Sequence, residues 1–177
     1  MLGRHDLEIG ELLRFAVGLV PREVRTADLL DYVDLEEWEL VLDLLGEFGG
    51  NTWQTPRYWA LLAEAATQME GDDAWFQWRC VESIQGLWRV SLTLAEGAEP
   101  LQARGERPTW DVTGNQQRVA ALWIESKPVL KAGESATARL RPFVPAAWGH
   151  LVRSDRITLL GSSPGIATII EKVPPRP

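Results

Sequence analysis

The chain has one cysteine, two histidines and two tyrosines in 177 residues, and these shortages exclude several kinds of chemistry. A lone cysteine, Cys80, cannot form an intrachain disulfide and suits a reducing compartment; it reads as a small buried hydrophobe. Neither His5 nor His150 has Cys, His or paired carboxylates at metal-ligand spacing, so no zinc site and no histidine-based catalytic site is expected. The phosphate-cradling patterns G-x-x-x-x-G-K-[ST] and G-x-G-x-x-G are absent. No apolar run approaches the roughly 20 residues of a membrane span. The start MLGRHDLEIG lacks the cationic and apolar regions of a secretory signal. These absences predict a cytoplasmic protein that is not an enzyme, with no membrane association, cofactor or metal.

Positive charge is missing locally. Residues 26–56 hold eight carboxylates (Asp28, Asp31, Asp34, Glu36, Glu37, Glu39, Asp43 and Glu47) and no Lys or Arg. The imbalance extends to the whole half: the first 83 residues carry 6 Lys/Arg against 17 Asp/Glu, and the last 94 carry 12 against 8. The halves are therefore −11 and +4 within an overall −7. Such a split bears on partners and association rates rather than on fold.

What is present is ordinary globular composition, 45% hydrophobic and 24% charged, with an unusual nine tryptophans that read mostly as core anchors. Apolar residues at helical spacing run from Leu7 to Val20, between Asp6 as N-cap and Pro21 as terminator. Thr26 caps a short helical turn through Leu30. Asp34 with Glu37 three residues on resembles a capping box for a longer helix, whose stripe is Leu35, Trp38, Val41, Leu42, Leu45 and Phe48. Gly49-Gly50 ends it, and Thr55-Pro56 opens another helix with the face Tyr58, Trp59, Leu61, Leu62, Ala65, Ala66 and Met69. A last helix is expected over 73–81, capped by Asp72 or Asp73.

After Gly86 the period changes from about 3.6 to 2, so strands replace helices. Strands are expected at 87–94, 110–112, 117–125, 136–144, 156–161 and 165–173, separated by Pro- and Gly-bearing turns. Short strands without intervening helices predict an antiparallel barrel or sandwich. The fold class is α+β: an acidic helical domain over 1–83, then a barrel of about six strands over 84–177 that ends in a Pro-rich tail.

Gly161-Ser162-Ser163-Pro164-Gly165 satisfies G-x-S-x-G, the nucleophile-elbow pattern. An elbow needs a strand-turn-helix and a downstream His, whereas this segment joins two strands and no His follows; it reads as a hairpin turn. Glu36-Glu37 and Asp72-Asp73 point apart on helices and read as solvated surface. In the helix beginning near Asp34, Glu39, Asp43 and Glu47 fall at i, i+4 and i+8 and repel one another by roughly 0.2–0.5 kcal/mol per pair. Two readings of the acids stay open: a solvated face, or, with Glu36, Glu39, Asp43 and Glu47 as its core, a surface for a basic protein partner. The arginines of the second half offer an alternative partner, RNA, through Arg118, Arg139, Arg141, Arg153 and Arg156. A net +4 on an acidic chain works against affinity built on phosphate contacts. A third reading has the charges of the two halves cancelling against one another.

The segments GESATARLRPFVPAAW (133–148), LVRSDRITLL (151–160) and GIATII (165–170), with RPTWDVTG (107–114) upstream, resemble the C-terminal barrel domain of elongation factor Tu over roughly 86–173. This chain has Ser154-Asp155 where that family has Gly-Asp, and its last hairpin is shortened. A helical segment stands before the barrel in place of a GTP-binding domain, so the resemblance implies a barrel and not a GTPase. Asp28-Leu29-Leu30, Glu36 to Asp43 and the helix led by Pro56 resemble small acidic helical immunity proteins of the MafI type, which neutralise toxins by binding them. That likeness implies a non-enzymatic, immunity-type protein-binding module.

Overall fold

A computed structural model describes residues 7–25 and 27–176. Five helices are followed by a closed antiparallel barrel. Contacts divide the chain into two compact units, one running to Ile84 and including Arg176, the other spanning Gln85–Pro175. The α+β expectation matches this architecture.

In the helical unit, α1 (Ile9–Leu19) buries Leu12, Leu13, Ala16 and Val17. Its N-cap is Glu8, whose N–H donates to the Glu11 carboxylate at 3.0 Å; the Asp6 cap expected from the sequence lies outside the described residues, as does the Thr26 cap. Helix α2 (Leu29–Asp34) ends where the longer helix was expected to begin. Asp34 is ion-paired with Arg14 instead of capping. Leu35 and Glu36 then form a turn, Glu36 in the left-handed region at φ 59°, and α3 (Trp38–Glu47) starts after Glu37. Leu35 leaves the apolar stripe and is 69% exposed.

Helix α4 (Pro56–Gln68) begins as read from the sequence, with Thr55 Oγ1 accepting from the Tyr58 N–H at 3.4 Å. Tyr58 is fully buried and its hydroxyl donates to the Leu45 carbonyl at 2.6 Å, fixing α4 against α3. Helix α5 (Ala74–Gln85) runs four residues past the expected end. It carries a buried polar cluster. Arg79 donates to Asn51 Oδ1 (3.0 Å) and Gln54 Oε1 (2.8 Å), pairs with Glu82 (3.1 Å), and lies over the rings of Trp59 and Trp75. Arg176 returns to this unit, its N–H donating to the Ser83 carbonyl at 2.7 Å and its guanidinium to the Asn51 carbonyl.

The barrel comprises β1 (Leu87–Leu94), β3 (Thr109–Asp111), β4 (Gln117–Ile124), β6 (Ser135–Pro142), β7 (Arg156–Leu159) and β8 (Gly165–Val173), in the closed order β1-β6-β4-β3-β7-β8. Two-residue strands β2 (Leu101–Gln102) and β5 (Val129–Leu130) form a separate ribbon, too short to show as a period in the sequence. Alternation fills the interior: Trp88, Val90, Leu92 and Leu94 from β1 meet Ala138 and Leu140 from β6 and Ala120, Leu122 and Ile124 from β4. Trp148, on a single 3-10 turn (Pro145–Trp148), packs against Trp88 and Trp110 at centroid separations of 6.1 and 6.5 Å. No tryptophan is exposed, in keeping with their reading as core anchors.

Candidate functional site

The four acids singled out from the sequence lie on one stretch of the helical unit. Glu39, Asp43 and Glu47 sit one turn apart on α3, all exposed, and Glu36 precedes them in the turn. The helix is held by its other side, where Val41, Leu42 and Leu45 are buried. Its start is pinned by Trp38, whose ring lies against Gly10 of α1 so closely that a Cβ there would come within 3.0 Å. Any larger residue at position 10 would meet the Trp38 ring.

All eight carboxylates of the base-free stretch are exposed, and among the described residues only Asp34 forms an ion pair. Three exposed leucines lie among them, Leu30, Leu35 and Leu40. The surface is thus acidic, partly apolar and rigidly mounted.

The five arginines of the alternative reading are not gathered in one place. Arg139 and Arg141 are on β6, Arg118 near the start of β4, Arg156 at the start of β7 and Arg153 in the preceding turn. In the closed order, β6 and β7 are separated by two strands on either side. Arg139 is buried and donates to Glu125 Oε1 at 3.0 Å; Glu125 also receives both arms of Arg89, at 3.0 and 2.7 Å. Burial pushes the Glu125 carboxyl up, but the hydrogen bonds and charges of Arg89 and Arg139 outweigh it and hold the group below its usual range.

The G-x-S-x-G segment is the turn of the β7–β8 hairpin. Ser163 Oγ donates to the Glu99 carbonyl at 2.8 Å, and Gly165 passes so close to β1 that a Cβ would lie 2.6 Å from the Thr93 carbonyl oxygen. These residues serve packing. His150 faces the Val112 carbonyl at 3.3 Å. Cys80 is half-buried rather than buried, with its thiol 3.6 Å from the Pro56 carbonyl, and burial pushes its pKa up, away from reactivity.

Among the described residues no group of three or more His, Cys, Asp or Glu is placed to hold a metal ion, and no helix is long and apolar enough to cross a membrane. No family model matches this chain, and no curated protein matches it.

Sequence reading missed two features. The buried Arg79–Glu82 pair was hidden because charged residues at i, i+3 read as a solvated face. Arg104 and Arg107 stack on Trp123 and Phe143, at 5.1 and 5.8 Å, from a segment with no periodic signal.

Proposed function

We propose that this protein is a non-enzymatic binding module that works in the cytoplasm and docks a basic protein partner on the acidic face of α3, with Glu36, Glu39, Asp43 and Glu47 supplying the electrostatic part. One observation carries the reading: eight exposed carboxylates in a stretch without Lys or Arg, seven of them without an ion pair among the described residues. Acids that served only to stabilise helices would cluster near N-termini. Here Asp43 and Glu47 lie in the middle and last turn of α3, where they repel Glu39 and each other and oppose the helix dipole. Exposed Leu35 and Leu40 supply apolar contact between the charges. Complementary charge of this density speeds encounter and fixes register more than it deepens affinity.

The likeness of the helical segment to immunity proteins of the MafI type makes a secreted toxin the kind of basic partner we favour. The barrel, similar to the last domain of elongation factor Tu, would then be the companion domain. RNA binding by the barrel is the weaker reading, because its five arginines are dispersed and Arg139 is committed to Glu125.

Affinity capture tests the proposal, with the immobilised chain compared against Glu36→Gln, Glu39→Gln, Asp43→Asn and Glu47→Gln combined. Basic proteins retained by wild type at low salt, and lost both in the variant and at high salt, are expected. Equal capture by both proteins sinks the idea.

A further inference from the structure

The outer wall of the barrel carries a second candidate surface. On β4 and β6 the odd-numbered residues point outward: Arg139 stands opposite Trp123, Arg141 opposite Ala121, and the Phe143 N–H donates to the Val119 carbonyl at 3.1 Å. Along the other edge of β4 runs the segment 103–108, whose Ala103, Glu106 and Pro108 carbonyls accept from the N–H groups of Ile124, Leu122 and Ala120. This pairing lays Arg104 over the Trp123 ring and brings Arg107 to the Phe143 ring. Arg104 and Arg107 therefore lie on this face beside the Trp123 and Phe143 rings, while Arg139 is buried and paired with Glu125. The face also exposes apolar surface, Phe143 at 53% and Val144 at 57%.

Arginine and large aromatics are the residue types enriched at protein–protein contacts and at their energetic centres, whereas scattered surface charge is not. The occupant must be acidic and partly apolar. The bases of a single-stranded nucleic acid can stack on such rings, but the −11 of the helical half would repel its phosphates. The chain itself provides a surface that meets both: the α3 face, with Glu36, Glu39, Asp43 and Glu47 around Leu35 and Leu40.

We propose that the arginine–aromatic wall of one copy docks the acidic α3 face of a second copy, head to tail. This rests on the reading of α3 as a docking face, though not on who its other partner is. Because the two patches differ, a single contact leaves one of each kind open, to pair reciprocally in a twofold dimer or with further copies in a ring or chain. A basic partner seated on α3 competes with the contact and disperses the assembly.

Sedimentation velocity on the full chain tests this, from about 10 to about 400 µM by mass action, at about 50 and about 500 mM salt to vary screening. The weight-average mass should rise with concentration from one chain to two or more, and the rise should shrink at high salt. Arg104→Ala with Arg107→Ala, and separately Glu39→Gln with Asp43→Asn, should each stay at the mass of one chain. An equimolar mixture of these two variants should form a dimer and nothing larger, since each retains the patch the other lost.

Wild type that stays at one chain throughout overturns the proposal, as does a mixture that fails to pair. A wall-dependent shift of labelled oligouridylate by a single-chain protein overturns it in favour of nucleic acid. Because the wall variant keeps α3 intact, capture of a basic protein by that variant shows that the docking reading stands while the head-to-tail contact fails.

Discussion

The guanidinium of Arg79 lies 4.2 Å above the ring of Trp59, both side chains within the helical unit and both nearly inaccessible. Glu82, also inaccessible, pairs with Arg79 through one oxygen and accepts the Trp78 indole N–H with the other. Arg79→Met removes the guanidinium paired with the buried Glu82 carboxylate, a loss of about 3–5 kcal/mol. Arg79→Lys should recover little, since an ammonium offers neither the planar stack nor the fork that reaches Asn51 and Gln54. Arg79→Met combined with Glu82→Leu should recover most of the loss. Denaturant unfolding followed by far-ultraviolet circular dichroism checks the order.

In the barrel, the Arg89–Glu125–Arg139 triad makes stability depend on pH. Glu125 is held below its ordinary range in the folded chain, so its stabilisation is present above the ordinary carboxylate pKa and is lost as pH falls through the folded value. Glu125→Gln should cost about 1–2 kcal/mol near neutral pH, as expected for charge-assisted bonds at a half-buried site. The difference from wild type should vanish in acid, where the native side chain is protonated as well. Urea titrations of both proteins at several pH values measure it.

The hairpin turn gives a paired test of how its residues contribute to packing. Ser163→Ala removes only the bond to the Glu99 carbonyl, about 1 kcal/mol. Gly165→Ala forces a Cβ against the Thr93 carbonyl and should cost about 1–3 kcal/mol through strain between β8 and β1. Thermal melts should rank Gly165→Ala as the more damaging of the two.

Helices α1, α3, α4 and α5 and the longer barrel strands were legible because each carries a clear period, 3.6 up to Gln85 and 2 from Leu87, and because Pro56 and Gly165 mark ends that the structure keeps; α2, expected as a turn through Leu30, instead spans Leu29–Asp34. Boundaries were less legible where one residue serves two purposes. Asp34 looks like a cap, but Arg14, 20 positions earlier in the chain, claims it, and no local pattern announces a pairing at that distance. Leu35 fits the apolar stripe and still ends up outside, because the left-handed turn at Glu36 rotates α3 out of phase with α2. The acids of α3 were legible as a face. Arg104 and Arg107 were not, since only the pairing of 103–108 along β4 brings them over Trp123 and Phe143.

The acids of α3 should carry a cost in stability. Asp43 stands one turn from both Glu39 and Glu47, and replacing it by Lys turns two repulsions into two attractions, each worth about 0.2–0.5 kcal/mol. Asp43→Lys should therefore raise the melting temperature slightly while weakening partner capture. A stabilised variant that binds as well as wild type would mean that the acids face only water.

The most direct measurement of the central claim is the association rate of the captured basic partner with the full chain, across ionic strengths from about 20 to about 500 mM. The account predicts a rate for wild type that falls steeply with salt, and a slower, much flatter dependence when Glu36, Glu39, Asp43 and Glu47 are neutralised together. Identical rates and identical salt slopes for the two proteins would contradict it.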